Sequence, residues 1–169
     1  MRRVLLMVVL ALLAGACTDG LAFRQDQRVS IESPRYREKV PVPVTLEWSV
    51  DDELQAALDA PDGGVAGFAV LVDLGPQPAG EPMSYYARDD DSCRASDGCP
   101  DLAYLADRGI FTTRATRITI DHLRPRRDVD LAAGHRDTHE VTLILLDERG
   151  RRIGQAAWTI LFEVDHDEA

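Results

Sequence analysis

Apolar and polar residues alternate along several short stretches of this chain, and a period of two is typical of β-strands with one buried face. The alternation is strict over residues 42–50, VPVTLEWSV, and shorter over residues 29–31 and 116–123. A compact apolar run, FAVLVDL, predicts a central strand over residues 68–74. Pro41 and Pro43 suit an edge strand or the start of a strand, where a missing backbone N–H is tolerated.

The C-terminal third of the chain predicts a β-hairpin. In HEVTLILLDERGRRIGQAAWTILFEV, residues 139–164, two apolar stretches flank a turn at Glu148–Gly150. Alternate apolar positions predict the buried faces of the two strands: Val141, Leu143 and Leu145 in the first, and Trp158, Ile160, Phe162 and Val164 in the second.

Helical signals are few and short. Residues 53–58 predict a brief helical turn before a Pro/Gly-rich linker, and CPDLAYLADRG, residues 99–109, predicts a short helix that ends at Gly109. Short strands, frequent turns and no long helix predict an all-β fold, an antiparallel β-sandwich. Residues 75–110, called the insert below, form an excursion longer than such a sandwich requires.

The first residues, MRRVLLMVVLALLAGACTDG, have the layout of an export signal: two arginines, an apolar run, then small residues before a cysteine. The segment LAGAC, residues 13–17, resembles the lipobox of bacterial lipoproteins, with Ala14 where leucine is commonest. The resemblance implies a signal peptide over residues 1–16, a lipidated Cys17 and a flexible tether over residues 17–27. It also implies an extracytoplasmic, lipid-anchored protein on the inner or the outer membrane. The alternative is an ordinary cleaved signal with a free Cys17.

Two stretches carry a second resemblance. IESPRYREKVPVPVTLEWSV, residues 31–50, is similar to the opening strands of bacterial immunoglobulin-like or fibronectin type III-like domains, and residues 139–164 are similar to their closing hairpin. The resemblance implies an immunoglobulin-like sandwich over residues 28–165, interrupted by the insert and followed by a polar tail at 166–169. Such sandwiches serve many unrelated binding roles, so the fold alone implies no chemistry.

The chain has three cysteines. If Cys17 takes lipid, Cys93 and Cys99 remain in an oxidising compartment, where a disulfide between them is expected. A redox-active pair favours the closer Cys-x-x-Cys spacing, and a zinc site needs two further nitrogen or sulfur ligands. The expected insert is therefore stapled by a disulfide and contains the short helix.

The insert also holds the residues that suit ligand binding. Carboxylates for a calcium site are available at Asp89, Asp90, Asp91, Asp97 and Asp101. Their spacing does not match an EF-hand, and the alternative is a solvated loop whose aspartates cap turns and the helix. Tyr85, Tyr86 and Tyr104 suit either an aromatic platform for a sugar or peptide, or packing of the insert against the sandwich.

Other chemistry has little support in the sequence. His135 and His139 have the His-x-x-x-His spacing of a zinc site, but Gly134 and the strand that follows disfavour the helix that such a site uses. No nucleophile elbow, P-loop or dinucleotide-binding motif is present, so we expect a protein that is not an enzyme and needs no cofactor beyond the calcium considered above. The formal net charge of −10 argues against nucleic acid as a partner.

The sequence therefore predicts a lipid-anchored, non-catalytic interaction or structural module of the cell envelope. Its partners would be the membrane, through the lipid, and an envelope protein or glycan, bound around residues 85–101. The alternative is a small calcium- or carbohydrate-binding accessory protein at the cell surface.

Overall fold

The computed structural model describes residues 27–60, 62–121, 123, 137–154 and 157–165. The expected signal peptide, Cys17, nearly all of the tether and the tail lie outside these ranges. Within them, the strands are β1 (Val29–Ser33), β2 (Lys39–Pro41), β3 (Val44–Val50), β4 (Gly67–Val72), β5 (Ile110–Thr113), β6 (Arg117–Ile120), β7 (Asp137–Leu146) and β8 (Trp158–Asp165). The helices are α1 (Asp52–Asp59), α2 (Asp91–Arg94) and α3 (Leu102–Ala106), with a 3-10 helix at Met83–Ala87.

The strands form two sheets, so the prediction of a mostly β fold is confirmed. The smaller sheet has the order β1-β3-β6, and the larger has the order β2-β8-β7-β4-β5. The pairs are antiparallel except β2 and β8, which run parallel. The prediction of a wholly antiparallel fold was wrong at this pair, because the chain crosses between β1 and β2 from an edge of one sheet to an edge of the other.

Strand registers define two ends of the molecule. Val29 lies opposite Val50 in the smaller sheet, and Gly67 lies opposite Leu146 in the larger sheet. These positions mark one end, called the N-terminal end below, and the nearby rings of Trp48 and Phe68 meet edge to face at 5.2 Å. At the opposite end, called the far end, β4 finishes and β7 begins. The ten residues of β7 make the separation of the ends roughly 30 Å.

The space between the sheets holds the main hydrophobic core. The alternate positions predicted from the sequence do point into it: Val44, Leu46 and Trp48 from β3, Val141, Leu143 and Leu145 from β7, and Trp158, Phe162 and Val164 from β8. The buried Leu54 and Leu58 of α1 close this core, and Asp51 caps the helix by accepting a hydrogen bond from the Leu54 N–H.

A second hydrophobic cluster lies on the outer face of the larger sheet. It joins Ala69 and Leu71 of β4 and Ile144 and Leu146 of β7 to side chains of the insert, namely Met83, Leu105 and Ile110. All six residues of β4 are buried, which is why its sequence is continuously apolar and does not alternate. The insert is therefore a cover that gives this sheet a second buried face.

The insert is attached to the sheet at both ends of the molecule. Near the N-terminal end, the Gly80 N–H donates to the Arg152 carbonyl and the Met83 N–H donates to the Gly150 carbonyl, at 2.8 and 3.2 Å. At the far end, the Val72 N–H donates to the Gly109 carbonyl at 2.8 Å. Gly109 has a φ of +78°, and a Cβ there would lie 3.0 Å from the Val72 carbonyl oxygen. Glycine therefore suits this position, where the chain leaves the insert and enters β5.

Several elements differ from the sequence-based expectations. The strands β2 and β5, the 3-10 helix and α2 were not predicted, because each is short and none shows a clear period. Ile110, taken as the last residue of the insert, is already the first residue of β5. Val42 was placed in a strand, but β3 begins at Val44, after Pro43. The helices at 53–58 and within 99–109 are present.

The covered face predicts an asymmetry between two leucines of the larger sheet. Leu71 is fully buried under the insert, whereas Leu161 lies half-buried on the outer face of β8. Leu71→Ala should lower the free energy of unfolding by about 2–5 kcal/mol, since it leaves a cavity in the second cluster. The matched control Leu161→Ala should cost markedly less. Urea denaturation of both variants provides the measurement, and equal losses would contradict a structural role for the cover.

Candidate functional site

The disulfide expected in the insert is present between Cys93 and Cys99, with Cα atoms 5.3 Å apart. Cys93 is buried at the end of α2, and Cys99 precedes the turn into α3. A disulfide across so short a loop limits the unfolded states open to this segment. It links α2 to the turn that leads into α3.

Asp90 is the main connector within the insert. Its Oδ1 accepts hydrogen bonds from the N–H groups of Ser92 and Cys93, both at 3.1 Å, and so caps α2. Its Oδ2 accepts from the Tyr104 hydroxyl and from the Arg108 guanidinium, both at 3.0 Å. The Cys93 N–H, followed by the Tyr104 hydroxyl, holds the pKa of Asp90 below its ordinary value. One carboxylate thus joins α2 to α3.

The other aspartates of the predicted calcium site do not converge with Asp90. Asp101 caps α3 by accepting from the Tyr104 N–H at 2.7 Å, and the exposed Asp91 pairs with Arg94. Asp89 forms a surface pair with Arg88, and Asp97 lies exposed in a turn. Within the described ranges, no group of three or more Asp, Glu, His or Cys side chains is placed to hold a metal ion. Calcium binding stays a prediction.

Tyr86 belongs to the polar contacts beneath the insert. Its hydroxyl accepts from the Gln77 N–H at 3.0 Å and lies 2.9 Å from the Gln77 side-chain oxygen. Burial raises the pKa of Tyr86 to about 12. Gln77 is itself fully buried, and its carbonyl accepts from the Arg152 guanidinium at 2.6 Å. These contacts fix the beginning of the insert to the turn between β7 and β8.

The three tyrosines do not form a flat platform. The rings of Tyr85 and Tyr86 are nearly perpendicular, at 89°, and the Arg88 guanidinium lies 3.9 Å from the centre of the Tyr85 ring. Tyr104 packs against the second cluster, with the Arg108 guanidinium 3.4 Å from its ring centre. This geometry is that of side chains that pack the insert, and a sugar-binding role for them stays a prediction.

A cleft of about 590 Å³ lies at the far end, between α3 and the sheet. Its apolar lining consists of Val72, Ala103, Ala106, Phe111 and Leu123. Charged side chains at Asp73, Asp107 and Arg108 stand among them, and His139 lies beneath. The volume falls within the range of about 300–1,000 Å³ that is usual for small-molecule pockets. Leu102, the first residue of the same helix, is 70 % exposed.

His139 is fully buried at the base of this cleft. Its Nδ1 lies 2.7 Å from Oδ2 of Asp73, and its Nε2 lies 3.1 Å from Oδ2 of Asp137, an approach that is poorly aligned for a hydrogen bond. Burial alone would lower the pKa of His139. The hydrogen bonds and charges of the two carboxylates outweigh it, so the pKa is raised above the ordinary histidine value.

This buried Asp73–His139–Asp137 group was not predicted. The sequence placed Asp73 inside a strand and treated His139 as the first residue of another. The alternation of β7 did contain a signal, because Asp137 and His139 continue the inward-facing positions of Val141, Leu143 and Leu145. The remaining histidines, His122, His135 and His166, lie outside the described residues, so the zinc spacing at 135 and 139 stays untested.

In the parts of the chain that the structure describes, no helix has both the length and the apolar character needed to cross a bilayer. Comparison with protein families, with curated proteins and with solved structures found no match to this chain. The arguments about function therefore depend on the geometry of the insert and the cleft.

The connecting role of Asp90 can be tested against a neighbouring acid. Asp90→Ala removes the cap of α2 and the acceptor for Tyr104 and Arg108, so amides of residues 91–108 should exchange hydrogen faster and the insert should be cut sooner by protease. Asp97→Ala, at an exposed turn of the same segment, should leave both properties unchanged. Hydrogen exchange read by mass spectrometry measures the difference, and indistinguishable variants would show that Asp90 does not organise the insert.

Proposed function

We propose that the protein is a lipid-anchored, non-catalytic interaction module of the cell envelope, and that it binds a partner with the insert and the adjoining cleft. The observation that carries the proposal is the construction of the insert. It is stapled by a disulfide, attached at both ends of the molecule and packed on the sheet through the second hydrophobic cluster. A rigid surface of this kind loses little conformational entropy on binding.

The fold assigned in this proposal is an immunoglobulin-like sandwich. Its support is the strand order, in which three strands face five and the first two strands divide between the sheets. In immunoglobulin terms β1, β3 and β6 take the places of strands A, B and E, and β4, β5, β7 and β8 those of C, C′, F and G. The insert then occupies the connection between C and C′, and β3 and β7 contain no cysteine for the disulfide that joins strands B and F in antibody domains.

The contents of the cleft favour binding over catalysis. Asp73 accepts hydrogen bonds from His139 and from the Glu140 N–H, and Arg108 is paired with Asp90. These charged groups already have partners within the protein, and the apolar lining between them suits an apolar part of a ligand or a side chain of another protein.

The attachment point supports an orientation. The described chain begins at residue 27, immediately before β1, so a tether from Cys17 would join the N-terminal end. The cleft lies at the far end, roughly 30 Å away along the strands, so the tether would attach at the end opposite to the cleft. A surface presented in this way is accessible to envelope proteins or glycans.

The anchor is tested by Cys17→Ala. Cells that produce the full chain and are fed an alkyne-tagged fatty acid should label the wild-type protein, and the variant should carry no label and leave the membrane fraction. Mass spectrometry of the mature N-terminus gives an independent measurement. A labelled variant, or a wild-type protein with an unmodified Cys17, would contradict the lipid anchor.

The binding surface is tested by photo-crosslinking in cells. A photoreactive residue at position 102, on α3 beside the cleft, should give a discrete crosslinked adduct. The same residue at position 119, on the polar outer face of the smaller sheet, is the matched control and should give none. Identical adducts from both positions, or none from position 102, would contradict the assignment of this surface.

A further inference from the structure

Both ring nitrogens of His139 face carboxylate oxygens. Nδ1 lies 2.7 Å from Asp73 and Nε2 lies 3.1 Å from Asp137. An ionised carboxylate accepts hydrogen bonds but has none to donate, and a neutral imidazole carries a single N–H. The imidazolium is therefore the form of the ring in which Nδ1 donates to Asp73 while Nε2 presents a second N–H to the charge of Asp137, at a distance of an ion pair but outside hydrogen-bond alignment.

The burial of this group makes the charge of the ring important. The side chains of His139 and Asp137 are 0 % exposed, and that of Asp73 is 30 % exposed. A buried carboxylate whose cationic partner becomes neutral is left in an unfavourable environment. Loss of the proton from His139 would therefore weaken the contacts of at least one of the two aspartates.

The position of Asp73 connects this group to the insert. Asp73 directly follows β4 and adopts a φ of +56°, a left-handed conformation that aspartate tolerates better than most residues. Its N–H donates to the Glu140 carbonyl at 2.8 Å, and its Oδ1 accepts from the Glu140 N–H at 2.9 Å. The chain turns here from β4 toward the insert, so the contacts of Asp73 hold the point at which the insert leaves the sheet.

We propose that His139 is an imidazolium that holds the far end of the larger sheet closed, and that loss of its proton at alkaline pH loosens this end and the departure point of the insert. This pH response does not depend on the proposed binding role, because it involves only groups within this protein. It makes the far end of the molecule respond to pH while the N-terminal end does not.

The charged groups around the ring support this assignment. Among the described residues, Asp73 faces it from the end of β4 and Asp137 faces it from β7, while β8 places the Phe162 ring 6.0 Å away. Asp107 and Arg108 of the insert line the cleft above. The raised pKa of His139 agrees with two adjacent carboxylates. Because the pKa is higher in the folded state, the stabilisation is fully present below about pH 6.5 and is lost as pH rises through the folded-state value.

The charge of the ring is tested by NMR titration of the purified full chain. The His139 signal, assigned by its loss in His139→Gln, should titrate at a higher pH than histidine in a short peptide. Asp73→Asn and Asp137→Asn should each lower that midpoint, since each removes one negative charge. A midpoint at or below the peptide value would overturn the proposal.

The loosening is tested by hydrogen exchange between pH 6 and pH 9, corrected for the intrinsic rate. Protection of the Asp73 and Glu140 amides should fall about tenfold for each unit by which the pKa of His139 in the folded protein exceeds that in the unfolded chain. Amides at the N-terminal end, such as Ala60, which donates to the Ala56 carbonyl, provide the internal control and should not change.

Two variants test whether the pH dependence of hydrogen exchange at the far end arises from His139 or from general instability of the protein. In His139→Gln, and to a smaller extent in Asp137→Asn, the pH dependence at the far end should decrease. If the glutamine variant does not fold, Asp137→Asn alone decides the matter, because it keeps the histidine and a side chain of nearly the same shape. An equal loss of protection at both ends of the wild-type protein, or a pH dependence in Asp137→Asn as large as that of the wild-type protein, would overturn the proposal.

Discussion

The structure depends on the burial of both faces of β4 and β7. A sandwich normally buries one face of each sheet and leaves the other to water, so its strands alternate between apolar and polar residues. Here Leu71 and Ile144 point away from the main core, and both are fully buried. A sheet with such an outer face needs a second layer, and the insert supplies it. The excursion that looks superfluous in the sequence is thus required by the strands on which it lies.

This requirement explains how the polar residues of the insert are used. The cover, residues 75–110 with three short helical segments, shares its hydrophobic cluster with the sheet, so additional contacts hold it in place. The disulfide and the Asp90 contacts join α2 to α3 within the cover, and the buried Gln77–Arg152 hydrogen bond fixes its beginning to the turn between β7 and β8. Among the polar and aromatic residues of the insert, Asp90 and Asp101 cap helices, and Tyr86 and Tyr104 pack against the second cluster.

The sequence predicted those parts of the fold that a period of two can reveal. It identified β1, β3 and β8 and the inward face of β7, because alternation can be read from neighbouring residues. It also identified the disulfide, because the number and spacing of the cysteines can be read from the sequence. It did not reveal β2 or β5, which are defined by their partners in the sheet. The group around His139 was hidden for the same reason, since Asp73 and His139 are 66 residues apart in the chain. Only the register of β4 against β7 brings them together.

At the far end of the molecule, the left-handed turn at Asp73, the buried His139 and the cleft have a common origin. The chain must turn sharply after Val72 to start the insert, and Asp73 makes this turn with a left-handed backbone conformation. A residue in that conformation needs contacts to hold it, and its carboxylate obtains them from the Glu140 N–H and from His139. The histidine in turn lies on the inward face of β7, where an apolar residue would fill the same space without a charge. Apolar packing there would often stabilise the fold as well or better, but the hydrogen bond between His139 and Asp73 is directional and fixes the position of the Asp73 side chain. At this end that geometry sets the position of the insert, and with it the shape of the cleft between α3 and the sheet.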